Sequence, residues 1–101
     1  MDEPDAAPDS PAPPPGSDSL AVKQAVADLA ERLGLAPAEV VVVDVAEVTW
    51  RDGSLGCARP DVMYTQALID GSRITLRVGE TAYEYHSGSS GLAALCEKPT
   101  E

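Results

Sequence analysis

The chain has 101 residues, room for one small domain, and a net charge of −10. An acidic surface of this kind repels phosphate backbones, which excludes nucleic acid as a partner. No apolar run approaches the roughly 20 residues that span a membrane as a helix. Residues 1–19 hold five acids, no base and no aromatic residue, with a proline run at Pro13, Pro14 and Pro15. Such a segment buries too little apolar surface to offset the entropy of ordering it, and it reads as a disordered, semi-extended tether. That leaves residues 20–97 as a single folded domain and 98–101 as a flexible C-terminus. At roughly 80 residues one core is marginal, and a covalent staple helps.

Ser17, Asp18 and Ser19 offer helix caps. Val22, Ala25, Val26, Leu29 and Leu33 then recur at helical spacing, while Lys23, Gln24, Asp28, Glu31 and Arg32 face outward. Gly34 is the expected stop and Pro37 blocks continuation. Val40–Trp50 reads as a strand rich in β-branched residues. Its start is apolar on both faces, as expected of a central strand or one covered on both sides. Residues 51–62 read as a loop punctuated by Gly53, Gly56 and Pro60. A second strand is predicted over Met63–Ile69, with a turn at Asp70-Gly71-Ser72.

Arg73–Val78 alternates polar and apolar, Gly79-Glu80 turns, and Thr81–His86 forms the next strand. A two-residue turn there sets Leu76 against Tyr83 and Ile74 against Tyr85 on one face. It sets Thr75 against Glu84 and Arg73 against His86 on the other, an open face. After a loose turn at 87–91, Leu92–Leu95 predicts a short last strand that carries Cys96. The fold class expected is α+β, with one N-terminal helix packed on a four- or five-stranded antiparallel sheet in two layers.

Cys57 and Cys96 bracket nearly all the strand-like sequence after the first strand. As a disulfide they would close a loop of roughly 40 residues, worth about 4 kcal/mol in the chain-entropy picture. A disulfide implies an oxidising compartment. The competing readings are a reactive Cys57 with His86 as its base, or two free thiols. A metal site is disfavoured, because 57, 86 and 96 contain no closely spaced ligand pair. Gly53-Ser54-Leu55-Gly56 lacks the spacing of a nucleophile elbow, and no phosphate-binding glycine motif occurs. No catalytic residue, metal or cofactor is therefore assigned. Trp50 has two readings, a lid packed on the disulfide or a partly exposed interface anchor. Tyr64, Tyr83 and Tyr85 are expected in the core with their hydroxyls at the rim. The candidate contact surface comprises Trp50, Arg51, Asp52, Ser54, Leu55, Arg59 and His86.

Trp50-Arg51-Asp52-Gly53-Ser54-Leu55-Gly56-Cys57, Tyr64-Thr65-Gln66, Gly71-Ser72-Arg73-Ile74 and Tyr83-Glu84-Tyr85-His86 resemble a set of uncharacterised bacterial secreted proteins and lipoproteins. These carry W-P-D-G-S-L-G-C, Y-T-Q, G-Y-R-I and Y-E-Y-H segments. The likeness spans residues 20–96, and the chain departs from it at Arg51, in place of proline, and Ser72, in place of tyrosine. The resemblance implies export and the disulfide and carries over no catalytic residue. In element order alone, the chain is similar to serine-protease inhibitors of the potato-inhibitor-I type, which present a rigid extended loop. Ser54-Leu55 or Val62-Met63 would be presented in that way, whereas Pro60 makes Arg59 a poor scissile residue. Helix-plus-sheet envelope modules of the PepSY kind are similar in order too.

The function expected is a non-enzymatic, exported cell-envelope interaction module, monomeric, with a protein partner and a disulfide-stapled loop at 50–60. The alternative is a peptidase inhibitor using residues 51–63. Localisation is expected to be extracytoplasmic, secreted or lipid-anchored, with any signal or anchor preceding residue 1.

Overall fold

A computed structural model describes residues 14–101; of the tether predicted over 1–19, residues 1–13 lie outside them. Residues 14–19 form hydrogen-bonded turns that feed helix α1, Leu20–Leu33. The Ser19 hydroxyl accepts from the Val22 N–H at 3.3 Å, and Gly34 closes the helix in the left-handed region with its N–H on Glu31. The buried stripe is Val22, Ala25, Leu29 and Ala30. Leu33, expected inside, lies in the last turn and is 40% exposed.

Four strands follow: β1, Val41–Trp50; β2, Ile69–Val78; β3, Thr81–Ser87; and β4, Ala93–Leu95. They form one antiparallel sheet in the order β1-β2-β3-β4. The core packs the helix stripe against Val40, Ile74, Leu76, Tyr85 and Ala93. The α+β two-layer expectation holds, and the β2–β3 hairpin has the register read from the sequence, Ile74 opposite Tyr85 and Arg73 opposite His86.

Three expectations are corrected. No strand forms over 63–68, and Asp70-Gly71-Ser72 is no turn; these three residues lie inside β2, opposite Thr49, Val48 and Glu47. Gly71 is there for close approach. A Cβ on it would overlap the Ser87 carbonyl oxygen and lie 2.7 Å from Trp50 Nε1. Second, β1 is an edge strand. Its register shifts between Val42 and Asp44, so the valine run carries a bulge, and Val41 and Val43 are about half exposed. A bulge places successive apolar residues on both faces, which mimics the pattern of a central strand. Third, Gln24 does not merely face water. Its amide donates to the Ala93 carbonyl at 2.9 Å and accepts from the Ala93 N–H at 2.8 Å, occupying the edge of β4 as a further strand would.

The helix is also pinned by Asp28, which accepts from the Tyr85 hydroxyl and from Arg32 Nε, each at 2.6 Å. The Tyr85 hydroxyl first, and then Arg32, holds the Asp28 carboxyl below the usual 3.8. Burial, and then the same hydrogen bond, raises the Tyr85 hydroxyl above the usual 10.0. A depressed carboxylate stabilises the fold above its ordinary value and loses that contribution as pH falls through the folded one. A raised tyrosine contributes fully below its ordinary value and loses it as pH climbs towards the folded one. Tyr85→Phe is therefore expected to cost about 1 kcal/mol at neutral pH. In denaturant titrations the gap from wild type should narrow below pH 3.8 and above pH 10.0.

Candidate functional site

The helix covers one face of the sheet; residues 51–57 fold back over the other. Alternation along the strands puts Trp50, Gly71, Arg73, Glu84, His86 and Cys96 on that second face, opposite the Ile74 and Tyr85 side. Trp50 is 1% exposed, and its Nε1 donates to the Ser87 carbonyl at 2.8 Å across Gly71. His86 stacks on it at 4.5 Å with the planes 24° apart. The Arg73 guanidinium lies 5.6 Å from the indole ring centroid and pairs with Glu84 at 3.4 Å.

Every part of the Trp50–Cys57 motif has a place in this lid. Asp52 Oδ1 accepts from the Ser54 N–H at 2.9 Å and the Ser54 hydroxyl at 2.5 Å, and these two bonds lower the Asp52 carboxyl below its usual range. Gly53 donates its N–H to the Thr65 carbonyl at 2.8 Å. Leu55 and Gly56 both take left-handed backbone, φ 56° and 73°. At Gly56 a side chain is also excluded sterically, because a Cβ there would overlap the Trp50 ring. The Leu55 carbonyl turns inward and accepts from His86 Nδ1 at 2.6 Å, while His86 Nε2 meets Glu84 Oε1 at 2.5 Å. Two consecutive left-handed residues thus aim one carbonyl at the histidine and lay the chain flat on the indole. Backbone strain of this kind persists only where surrounding contacts enforce it.

Cys57 and Cys96 form a disulfide with a Cα–Cα distance of 5.8 Å. Cys96 sits just past β4 and donates its N–H to the Glu84 carbonyl at 2.8 Å, so the bridge ties the lid to the sheet. The C-terminal residues, expected to be free, lie on the lid. Thr100 donates its N–H to the Gly56 carbonyl at 2.7 Å and accepts from the Ala58 N–H at 3.1 Å, and the Glu101 main-chain oxygen accepts from Arg73 at 3.1 Å.

The sequence-predicted contact residues separate accordingly. Trp50, Ser54 and His86 are buried, 8% exposed at most, and their reading as contact residues is corrected. They build the lid, and the sheet face expected to be open at His86 is covered by it. Asp52 and Leu55 are half-buried; Arg51 and Arg59 are exposed. Arg51 reaches Glu101 at 3.7 Å. The structure does not bring Cys57 and His86 together as nucleophile and base, since the thiol is bridged and both ring nitrogens face oxygen acceptors. Among the described residues no group of three His, Cys, Asp or Glu side chains converges as a metal site. A cleft of about 490 Å³ beside the disulfide mixes Arg32, Arg59 and Lys98 with Asp61 and Glu97.

The segment that reaches solvent is the arm over 58–68. Met63 is 96% exposed, Leu68 74% and Val62 43%. The arm has no helix or strand, yet it is braced: the Arg59 N–H donates to the Tyr64 hydroxyl at 3.2 Å, and Thr65 is held by Gly53. Tyr64 thus serves the arm and not the core expected for all three tyrosines; Tyr85 is fully buried, and Tyr83 is half-buried against the core. The family described as "Domain of unknown function (DUF8738)" matches residues 22–96, from the first buried residue of the helix to the second half-cystine. The chain belongs to this family. Among curated proteins and solved structures none matches it. The DUF8738 span thus contains the helix from Val22 onward, the sheet, the lid and the arm, and ends on the staple.

Proposed function

We propose that this DUF8738 domain is a non-enzymatic, exported interaction module whose contact surface is the arm over 58–68, displayed by a disulfide-stapled lid. The observation that carries this reading is the division of labour in the loop. The polar and aromatic groups that could do chemistry are spent on internal bonds, while Met63 is left 96% exposed on a braced segment. A pre-ordered apolar side chain binds without a large ordering cost. The disulfide supports an oxidising, extracytoplasmic compartment, and the motif likeness to bacterial secreted proteins adds to it. No helix among the described residues is long and apolar enough to cross a membrane.

A photo-crosslinking residue placed at Met63, and another at Arg77 on β2, separate the arm from the rest of the surface. The expected result in the exporting host is one discrete protein adduct from position 63 and none from 77. Equal, diffuse adducts from both positions would contradict the assignment. The monomeric state is checked by light scattering of the purified chain.

A further inference from the structure

We infer that the arm is an inhibitory loop for a serine peptidase with an apolar primary pocket, and that Met63 is the side chain that enters it. The inference rests on the interaction reading above and names the partner class. Recognition would be through a primary pocket, because Met63 is the most exposed apolar side chain of the arm, with half-exposed Val62 and half-buried Tyr64 beside it and exposed Leu68 five residues on. A turn closed by the Val62 N–H on the Arg59 carbonyl at 3.3 Å delivers the chain to Met63, and residues 62–66 carry neither helix nor strand, so their backbone is not committed to a ladder.

The braces lie on both sides of the Met63–Tyr64 bond. Upstream, Cys57 is bridged to Cys96 and Ala58 bonds Thr100. Downstream, the Thr65 carbonyl accepts from the Gly53 N–H and the Tyr64 hydroxyl accepts from the Arg59 N–H. The chemistry that follows is a reversible acyl transfer. The peptidase serine oxygen attacks the Met63 carbonyl carbon; the bond to the Tyr64 nitrogen breaks, and that nitrogen takes up the serine proton and leaves as an amine. The amine does not depart, since Tyr64 and Thr65 remain tied to Arg59 and Gly53. It attacks the acyl-enzyme, re-forms the peptide bond and returns the proton to the serine. No water is consumed and the peptidase stays occupied.

The test uses the full oxidised chain with subtilisin and chymotrypsin, whose primary pockets are apolar, and trypsin, whose pocket selects a cation. Wild type is expected to inhibit one or both of the first two at near-stoichiometric concentration and to leave trypsin active. Met63→Lys, a substitution at an exposed position, is expected to keep the wild-type melting temperature. It should shift the ratio of inhibition constants at least about 100-fold towards trypsin, the scale of discrimination that a matched pocket provides. Rapid digestion of wild type without loss of peptidase activity would overturn the inference. So would inhibition unchanged by Met63→Lys. A discrete adduct from position 63 with a protein that is no peptidase would also overturn it, while leaving the interaction reading in place; absence of any adduct would remove both.

Discussion

Gly71→Ala is expected to destabilise the domain by about 3 kcal/mol or more, the upper range for forcing an extra methyl into a packed site. The added Cβ meets backbone on one side, the Ser87 carbonyl, and the Trp50 indole nitrogen on the other. Neither is the far end of a flexible side chain. Relief requires β2 and β3 to separate where Ser72 pairs with Ser87, or the indole to leave its carbonyl partner. Either route uncovers Trp50 and strands a buried acceptor, which costs about 1–3 kcal/mol by itself. Urea titration followed by far-ultraviolet circular dichroism measures the loss, with a signal that every variant keeps. A control isolates the hydrogen bond: Trp50→Phe keeps an aromatic ring under the lid and removes only the N–H and some area, so it should cost less than Gly71→Ala. Equal stability of Gly71→Ala and wild type would show that the glycine is not needed for approach.

Removing the disulfide is expected to cost about as much again. The paired change Cys57→Ala and Cys96→Ala, with a separation of 39 residues, frees a loop worth about 4 kcal/mol of denatured-state entropy. For a domain of this size that corresponds to a fall in melting temperature of roughly 15–30 °C. The lid should fail first, because residues 51–57 are joined to the sheet by Cys57, by the Leu55–His86 bond and by contacts with Trp50, and by no ladder of their own. Calorimetry with and without reductant checks the size of the effect. A wild-type chain in which both thiols react under denaturing, non-reducing conditions would remove the staple and, with it, the chief support for export.

Much of the fold is legible where local and cross-strand signals agree. The helix limits follow from Ser19 and Gly34, and the β2–β3 register follows from alternation across a two-residue turn. The misread region shows what local signals omit. Asp70-Gly71-Ser72 has turn composition, but its glycine answers to a contact 16 residues away, with Ser87, and to the indole of Trp50. No pattern within the strand encodes that approach. The valine run misleads for a similar reason, since a bulge changes which face each residue takes. At the candidate site the motif residues are found, yet their direction is not. Trp50, Ser54 and His86 look available until the left-handed pair Leu55 and Gly56 turns the loop back over the sheet. Met63 and Val62 are legible as a presented pair only through the inhibitor likeness; in the structure no strand forms over 63–68, and both side chains are exposed.

The decisive measurement is hydrogen exchange at the Trp50 indole N–H, a single resonance because the chain has one tryptophan. If the motif is a closed lid, with the indole donating to Ser87, this proton exchanges only through opening of the domain, at the slow rate of the buried Ile74 and Leu76 amides. The Met63 amide, on the exposed arm, exchanges much faster. An indole proton that exchanges at the rate of free tryptophan, with the Cys57–Cys96 disulfide intact, would contradict the lid.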